Sequence, residues 1–254
     1  MIPRFLARVV LFALVAQGSA AAAEPTPTDI FLLIGQSNMA GRGVVEAQDL
    51  VVHPRIFKQT EAKTWVPSID PLHFDKPTLI GVGLGSSFAR VVAEKEPKAI
   101  IGLVPAAFGG TSLEEWAPGG KLYVNAVERA KLALSHGGRL RALLWHQGEA
   151  DSGPEKRATY AERFAKFVAQ LRADLGAPDV PIVVGELFQG RTTNAPMNAV
   201  LNSLPKTVPH CASASAEGFT DKGDQTHFDS HSLREFGRRY AAAFYSLEKS
   251  AKAP

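Results

Sequence analysis

Asp29-Ile-Phe-Leu-Leu-Ile34 runs directly into Gly35-Gln-Ser-Asn-Met39. The first six residues are apolar almost without interruption. A strand exposed on one face would alternate apolar with polar, so this run reads as a strand covered on both faces, the situation inside a parallel sheet. The abrupt change to glycine and polar residues marks its carboxyl end. Working outward, the same unit recurs. Residues 99–104, 140–145 and 181–187 read as further buried strands, and 211–216 as a weaker fifth. Helical patterns fall between and after them, at 88–94, 122–134, 154–175, 197–204 and 232–247. The third of these, 154–175, has proline at its beginning and Gly176 at its end, as helices favour. Alternating strands and helices predict a three-layer α/β/α fold, with a flavodoxin-like parallel sheet of five strands. Residues 45–82 carry Pro54, Pro67, Pro71 and Pro77 and read as a long irregular insertion, not a second domain.

The chain has 254 residues, 45% of them apolar, enough for one sizeable core. Its 28 Lys and Arg against 25 Asp and Glu leave a formal charge of +3, spread along the chain. No basic run is present to serve as a nucleic-acid arm. The amino terminus reads as a cleavable signal peptide over 1–23: Arg4 and Arg8, a short apolar core over 9–16, and small residues over 20–23 before Glu24. The apolar core is too short for a membrane span. The expectation is a single domain over 24–254, secreted or periplasmic. The one cysteine, Cys211, sits among small residues and reads as a buried strand position. No Cys/His spacing suggests a metal site, and no cofactor motif is present: Gly81-Val-Gly83-Leu-Gly85 follows a loop instead of a strand and lacks the dinucleotide spacing.

Open α/β sheets bind ligands beyond the carboxyl ends of their strands. Polar or glycine-rich clusters follow each predicted strand here: Gly35-Gln-Ser-Asn, Phe108-Gly-Gly-Thr-Ser112, His146-Gln-Gly-Glu-Ala-Asp151, the segment with Phe188, Gln189 and Arg191, and Asp224-Gln-Thr-His227. A serine hydroxyl is a weak nucleophile until a base takes its proton, and a histidine oriented by a carboxylate is the usual base. Ser37 is the candidate nucleophile, His227 the base and Asp224 its partner. An oxyanion hole needs convergent donors, for which the Ser37 N–H, the Gly110 N–H and the Gln147 side-chain amide are candidates. Glu149 is either a second carboxylate for His227 or support for its own loop. Asp151 is read as a cap for the helix near Pro154. Trp116 is a candidate substrate-lining residue, against the tendency of aromatics to be core. There is no Gly-x-Ser-x-Gly elbow, because position 39 is Met.

These motifs, in this order, resemble the sialate O-acetylesterase-like domain. That group includes the acetylxylan esterases of carbohydrate esterase family six, within the SGNH hydrolase superfamily. The resemblance spans residues 30–231. It implies Ser37, Asp224 and His227 as catalytic residues, with Ser37, Gly110 and Gln147 as the oxyanion hole. Two positions depart from the wider superfamily: Gln36 stands where Asp is usual, and Gln147 where Asn is usual. Both departures are shared with the esterase subgroup and so narrow the assignment, while enzymes of that subgroup leave open whether Glu149 shares the carboxylate role with Asp224. The function implied is hydrolysis of O-acetyl esters on an acetylated carbohydrate such as xylan. The rival readings are deacetylation of sialic acid, acetyl transfer between sugars, and a carbohydrate-binding protein that keeps the fold without catalysis.

Overall fold

In the computed structural model, residues 26–252 are described. The signal-peptide reading falls on residues outside that range. The first strand, β1 (Asp29–Gly35), lies at the centre of a seven-stranded sheet. The others are β2 (Ile56–Gln59), β3 (Trp65–Pro67), β4 (Ile101–Pro105), β5 (Arg139–His146), β6 (Ile182–Gly185) and β7 (Cys211–Ala214). Their order is β3-β2-β4-β1-β5-β6-β7, all parallel except for β3, which runs antiparallel to β2.

The five expected strands are all present, but the sheet has seven. Both additional strands come from the segment read as irregular. They are only four and three residues long, and β3 ends on Pro67, which suits an edge position where no ladder donor is required. Their short, proline-flanked sequence carries little periodicity, which is why the pattern did not reveal them.

The unbroken apolar run of β1 is explained by its two faces. Ile30, Leu32 and Ile34 enter one core. That core is completed by α3 (Lys121–Ser135), α5 (Tyr160–Asp174) and α6 (Ala195–Ser203). Phe31 and Leu33 enter the other, against α2 (Gly85–Lys95) and α7 (Ser230–Lys252). There Phe31 meets Phe88 and Phe244 edge to face, with centroids 5.0 and 5.7 Å apart. All five inner residues of β1 are fully buried, each contributing roughly 1.5–3 kcal/mol of transfer free energy. The helix expected over 154–175 is two helices. A short α4 (Pro154–Ala158) breaks at Thr159, whose φ of −106° and ψ of 2° leave the helical region, before α5 begins. No described helix is long and apolar enough to cross a membrane.

The carboxyl end of β1 is fixed by one close approach. Gly35 pairs with His146 at the end of β5 and has φ +125°. A Cβ there would stand 2.2 Å from the His146 carbonyl oxygen, and an L side chain disfavours that backbone conformation. The next N–H, of Gln36, donates to the same carbonyl at 2.8 Å. We expect Gly35→Ala to destabilise the protein by at least about 3 kcal/mol, since overpacking and backbone strain act together. Urea unfolding would measure it, and a midpoint within error of the parent would contradict this account of the strand end.

Candidate active site

Ser37 opens α1 (Ser37–Ala40), a single helical turn set directly on the end of β1. Its Oγ lies 2.9 Å from His227 Nε2. His227 Nδ1 lies 2.7 Å from Asp224 Oδ2. With the proton on Nδ1, the ring donates to Asp224 and leaves the Nε2 lone pair to accept from the serine hydroxyl. The second carboxylate oxygen of Asp224 accepts the N–H groups of Thr226 at 3.0 Å and His227 at 2.7 Å. One aspartate therefore shapes the turn and orients the ring that the turn carries. Partial burial acts to raise the Asp224 pKa, but the hydrogen bonds from the His227 N–H, its ring and the Thr226 N–H outweigh it, and the carboxyl stays below its ordinary value.

A cleft of about 340 Å³ opens at this point, lined by Ser37, Arg42, Lys76, Leu79, Gly110, Glu149 and His227 among others. A larger depression of about 510 Å³ lies elsewhere, between Leu113 and Phe167. Chemistry and not size marks the site. Gly110 has φ +85°, a conformation suited to glycine. Among the described residues, neither the Ser37 nor the Gly110 N–H is paired with a protein acceptor. The Gly109 N–H, by contrast, donates to Asp75 Oδ2 at 2.8 Å.

The amide of Gln147 does not face the cleft. It is fully buried. Its nitrogen donates to the Thr111 carbonyl at 3.0 Å and to Asp151 Oδ2 at 2.6 Å, and its oxygen accepts from Tyr160 Oη at 2.8 Å. Both amide hydrogens are used, so none is left for an oxyanion. Asp151 is not a helix cap either: it accepts from Gln147, the Leu113 N–H and Arg163, tying the third motif to the second. Trp116 is wholly buried, packed edge to face on Trp145 at 5.5 Å with its Nε1 donating to Thr111. It is a core residue and lines no substrate surface. Gln189 donates to Glu186, and neither it nor Phe188 nor Arg191 lines the cleft.

A match to the family model described as "Carbohydrate esterase, sialic acid-specific acetylesterase" spans residues 27–246. The chain belongs to this family of carbohydrate acetylesterases. It is 32% identical over 239 residues to a protein of Arabidopsis thaliana named as a probable carbohydrate esterase, covering 87% of this chain and 91% of that one. A solved Arabidopsis thaliana structure aligns with a TM-score of 0.81 at 30% identity over 87% of this chain and 98% of that one. NanS has the same fold, with a TM-score of 0.75 at 18% identity over 89% and 99% of the two chains. The sheet and its flanking helices follow the fold of these two structures.

In this esterase, two residues that sequence reasoning passed over hold the site together. Asn38 is fully buried. Its Nδ2 donates to Glu149 Oε1 at 2.7 Å and to the Thr226 carbonyl at 3.0 Å, while its Oδ1 accepts the Phe228 N–H at 3.1 Å. It thus grips the chain on both sides of His227 from the residue next to Ser37. Its place inside the Gly-Gln-Ser-Asn motif was the available signal. Asp75 accepts from both Arg42, at 2.8 Å, and the Gly109 N–H, fixing the glycine loop against the insertion. No local pattern could announce a pair separated by 33 residues.

Glu149 therefore touches Asn38, and the His227 ring bonds go to Asp224 and Ser37. Behind Glu149 lies His146, also fully buried. Tyr240 Oη donates to the Trp145 carbonyl at 2.8 Å, so it can only accept from His146 Nδ1–H, at 3.1 Å. The bare Nε2 of His146 then faces Glu149 Oε1 at 3.8 Å. Burial raises the Glu149 pKa to about 7 and lowers that of His146 to about 3. A neutral acid beside a neutral imidazole is the favoured state at mildly acidic pH.

The sign of the pH dependence follows. The folded protein holds the Glu149 proton more tightly than the unfolded chain, so this contribution to stability is complete below the ordinary value of 4.5 and is lost as pH rises through about 7. Glu149→Gln keeps an acceptor for Asn38 but does not titrate. We expect the variant to gain stability relative to the parent between pH 4.5 and 8, by at most about 3 kcal/mol. Parallel urea titrations across that range would show a constant difference if the carboxyl were ionised throughout.

Proposed function

We propose that this protein is a serine esterase that hydrolyses O-acetyl esters of a carbohydrate through an acyl-enzyme, with acetylated xylan or a related polysaccharide as substrate. The observation that carries the reading is the unbroken contact from Ser37 Oγ through His227 to Asp224 on one wall of the cleft. His227 Nε2 takes the hydroxyl proton as Ser37 Oγ attacks the acetyl carbonyl carbon. The oxyanion that forms accepts from the Ser37 and Gly110 N–H groups, two backbone donors, one at the end of β1 and one in the glycine loop beyond β4. His227 then gives its proton to the departing sugar oxygen, leaving acetyl-Ser37. Water, deprotonated by the same ring, releases acetate and restores the serine.

Asp224 is the acid of this triad and Glu149 a support for Asn38, a division that rests on the hydrogen bonds each makes. The family description favours a second substrate, O-acetylated sialic acid. A binding protein without catalysis is disfavoured by an intact, hydrogen-bonded serine–histidine pair. We further propose that the protein is exported, from its amino-terminal sequence.

Ser37→Ala should abolish acetyl esterase activity in a folded protein, a loss of about four to six orders of magnitude in kcat. The assay sets p-nitrophenyl acetate, acetylated xylan and O-acetyl sialic acid side by side, so that it also decides the substrate. Near-parental turnover by the alanine variant would refute the serine mechanism. Asp224→Asn should cost about a thousandfold in kcat, and Glu149→Gln only about ten- to a hundredfold, as support from outside the reacting groups does elsewhere. The reverse order would make Glu149 the triad acid.

A further inference from the structure

Among the described residues, the exposed large apolar side chains include a single aromatic ring, that of Phe108. A lone exposed apolar residue has no necessary meaning. This one is held in an unusual way. Its own N–H donates to the Gly35 carbonyl at 2.9 Å, its carbonyl accepts from Thr111 Oγ1 at 2.8 Å, and the next N–H is bound by the buried Asp75. The backbone is pinned at three successive points while the residue stays 41% exposed.

Its position is equally specific. A methyl group built on the adjacent Gly109 would stand 3.4 Å from Ser37 Cβ, so Phe108 is one residue along the chain from the glycine that borders the nucleophile. Lys76, which lines the catalytic cleft, lies over the Phe108 ring at 5.9 Å from its centroid. On the other side Phe108 lines a second cleft of about 360 Å³, together with Phe74, Glu61 and Asn125. The ridge made by Asp75, Lys76, Phe108 and Gly109 therefore carries residues of both clefts.

We propose that Phe108 is the platform of a second sugar subsite, and that the substrate is a glycan chain of at least two contiguous sugar rings and not a free monosaccharide. This rests on the acetyl esterase reading of the Ser37 cleft. A pyranose ring presents a face of C–H bonds and a rim of hydroxyls. An exposed aromatic ring beside polar side chains matches both, the arrangement by which apolar surface and a few placed polar groups together fix a ligand. A rigid ring with two side-chain torsions gives contact area at small entropic cost. The acetylated sugar sits at Ser37, and its neighbour in the chain stacks on Phe108 and reaches the second cleft.

The test compares acetylated xylotetraose and acetylated mannotetraose with the matching acetylated methyl glycosides. The wild-type kcat/KM should favour at least one tetrasaccharide by about tenfold or more, as one good contact supplies. Phe108→Ala should bring that ratio close to one, and Phe108→Tyr, which keeps the ring face, should preserve it. A wild type that prefers neither tetrasaccharide, or a Phe108→Ala ratio equal to the parent's, overturns the proposal. Calorimetric titration of Ser37→Ala protein with the same tetrasaccharides separates the two readings. Binding that Phe108→Ala removes, in a protein whose parent cleaves no acetyl ester, would sustain the subsite and reject the esterase. Absent binding alongside ordinary esterase activity would do the opposite.

Discussion

The contact between the backbone of Gly35 and the carbonyl of His146 is the constraint on which the site depends. It leaves no room for a side chain on β1 where that strand ends. It brings the Gly-Gln-Ser-Asn and His-Gln-Gly-Glu turns together at the middle of the sheet. The chain leaves β1 for β2 on one side and, after β3 and β4, crosses to β5 on the other. Ser37 is therefore presented where the connections diverge, which is where open α/β sheets bind ligands. A single-turn helix follows at once, closed by the Gly41 N–H on the Ser37 carbonyl at 2.9 Å and seated in the core by Met39 and Ala40.

The base arrives differently. His227 belongs to a loop after the last strand, partly open to solvent, and its geometry is imposed by two side chains. Asp224 closes the turn from within. Asn38 holds it from outside, bonded on either side of the histidine and itself anchored by Glu149. Placing the anchor in a buried, neutral-leaning carboxyl costs desolvation only if the acid ionises, and the lone pair on His146 offers that charge no donor. An ionised group there would be stabilised by backbone N–H groups of its own loop and by the Asn38 amide, which burial outweighs. The arrangement separates two carboxylates by environment. The one beside solvent stays charged and faces the ring, while the one in the core stays attached to the frame.

Much of this was legible in the chain. Four of the five expected strands declared themselves because β1, β4, β5 and β6 are buried on both faces for most of their length, and such burial erases polar alternation; β7, only partly buried, gave the weaker signal. Ser37, Asp224 and His227 were legible because local spacing and strand ends bring them within reach, and the structure does bring them together. Gln147 and Trp116 were misjudged for a common reason. Polarity or aromaticity near a motif says nothing about direction, and both side chains point inward, where Asp151, Thr111 and Tyr160 satisfy the amide and Trp145 covers the indole. The break at Thr159 was hidden because α4, Pro-Glu-Lys-Arg-Ala, is short and buries none of its residues, so it carries no apolar face whose end could be seen.

The least readable segment, residues 45–82, is also the one that shapes the cleft. It supplies β2 and β3 to extend the sheet beyond β4, and then returns Asp75, Lys76 and Leu79 to the site. Asp75 is nearly inaccessible and shares one oxygen between Arg42 and the Gly109 N–H. Burial works to raise its pKa, but those two donors outweigh it and keep the carboxyl below its ordinary value. Breaking such a pair would strand a buried charge, a far larger penalty than any surface ion pair could impose. The insertion is thereby fastened to the glycine loop that carries the Gly110 donor and the Phe108 ring. Chemistry is set by the strand ends of the sheet, and the shape of what is admitted is set by a segment with almost no regular periodicity. The insertion therefore bears on the walls of the cleft and, through Asp75, on the loop of the Gly110 donor, while the end of β1 is set by the meeting of Gly35 with His146.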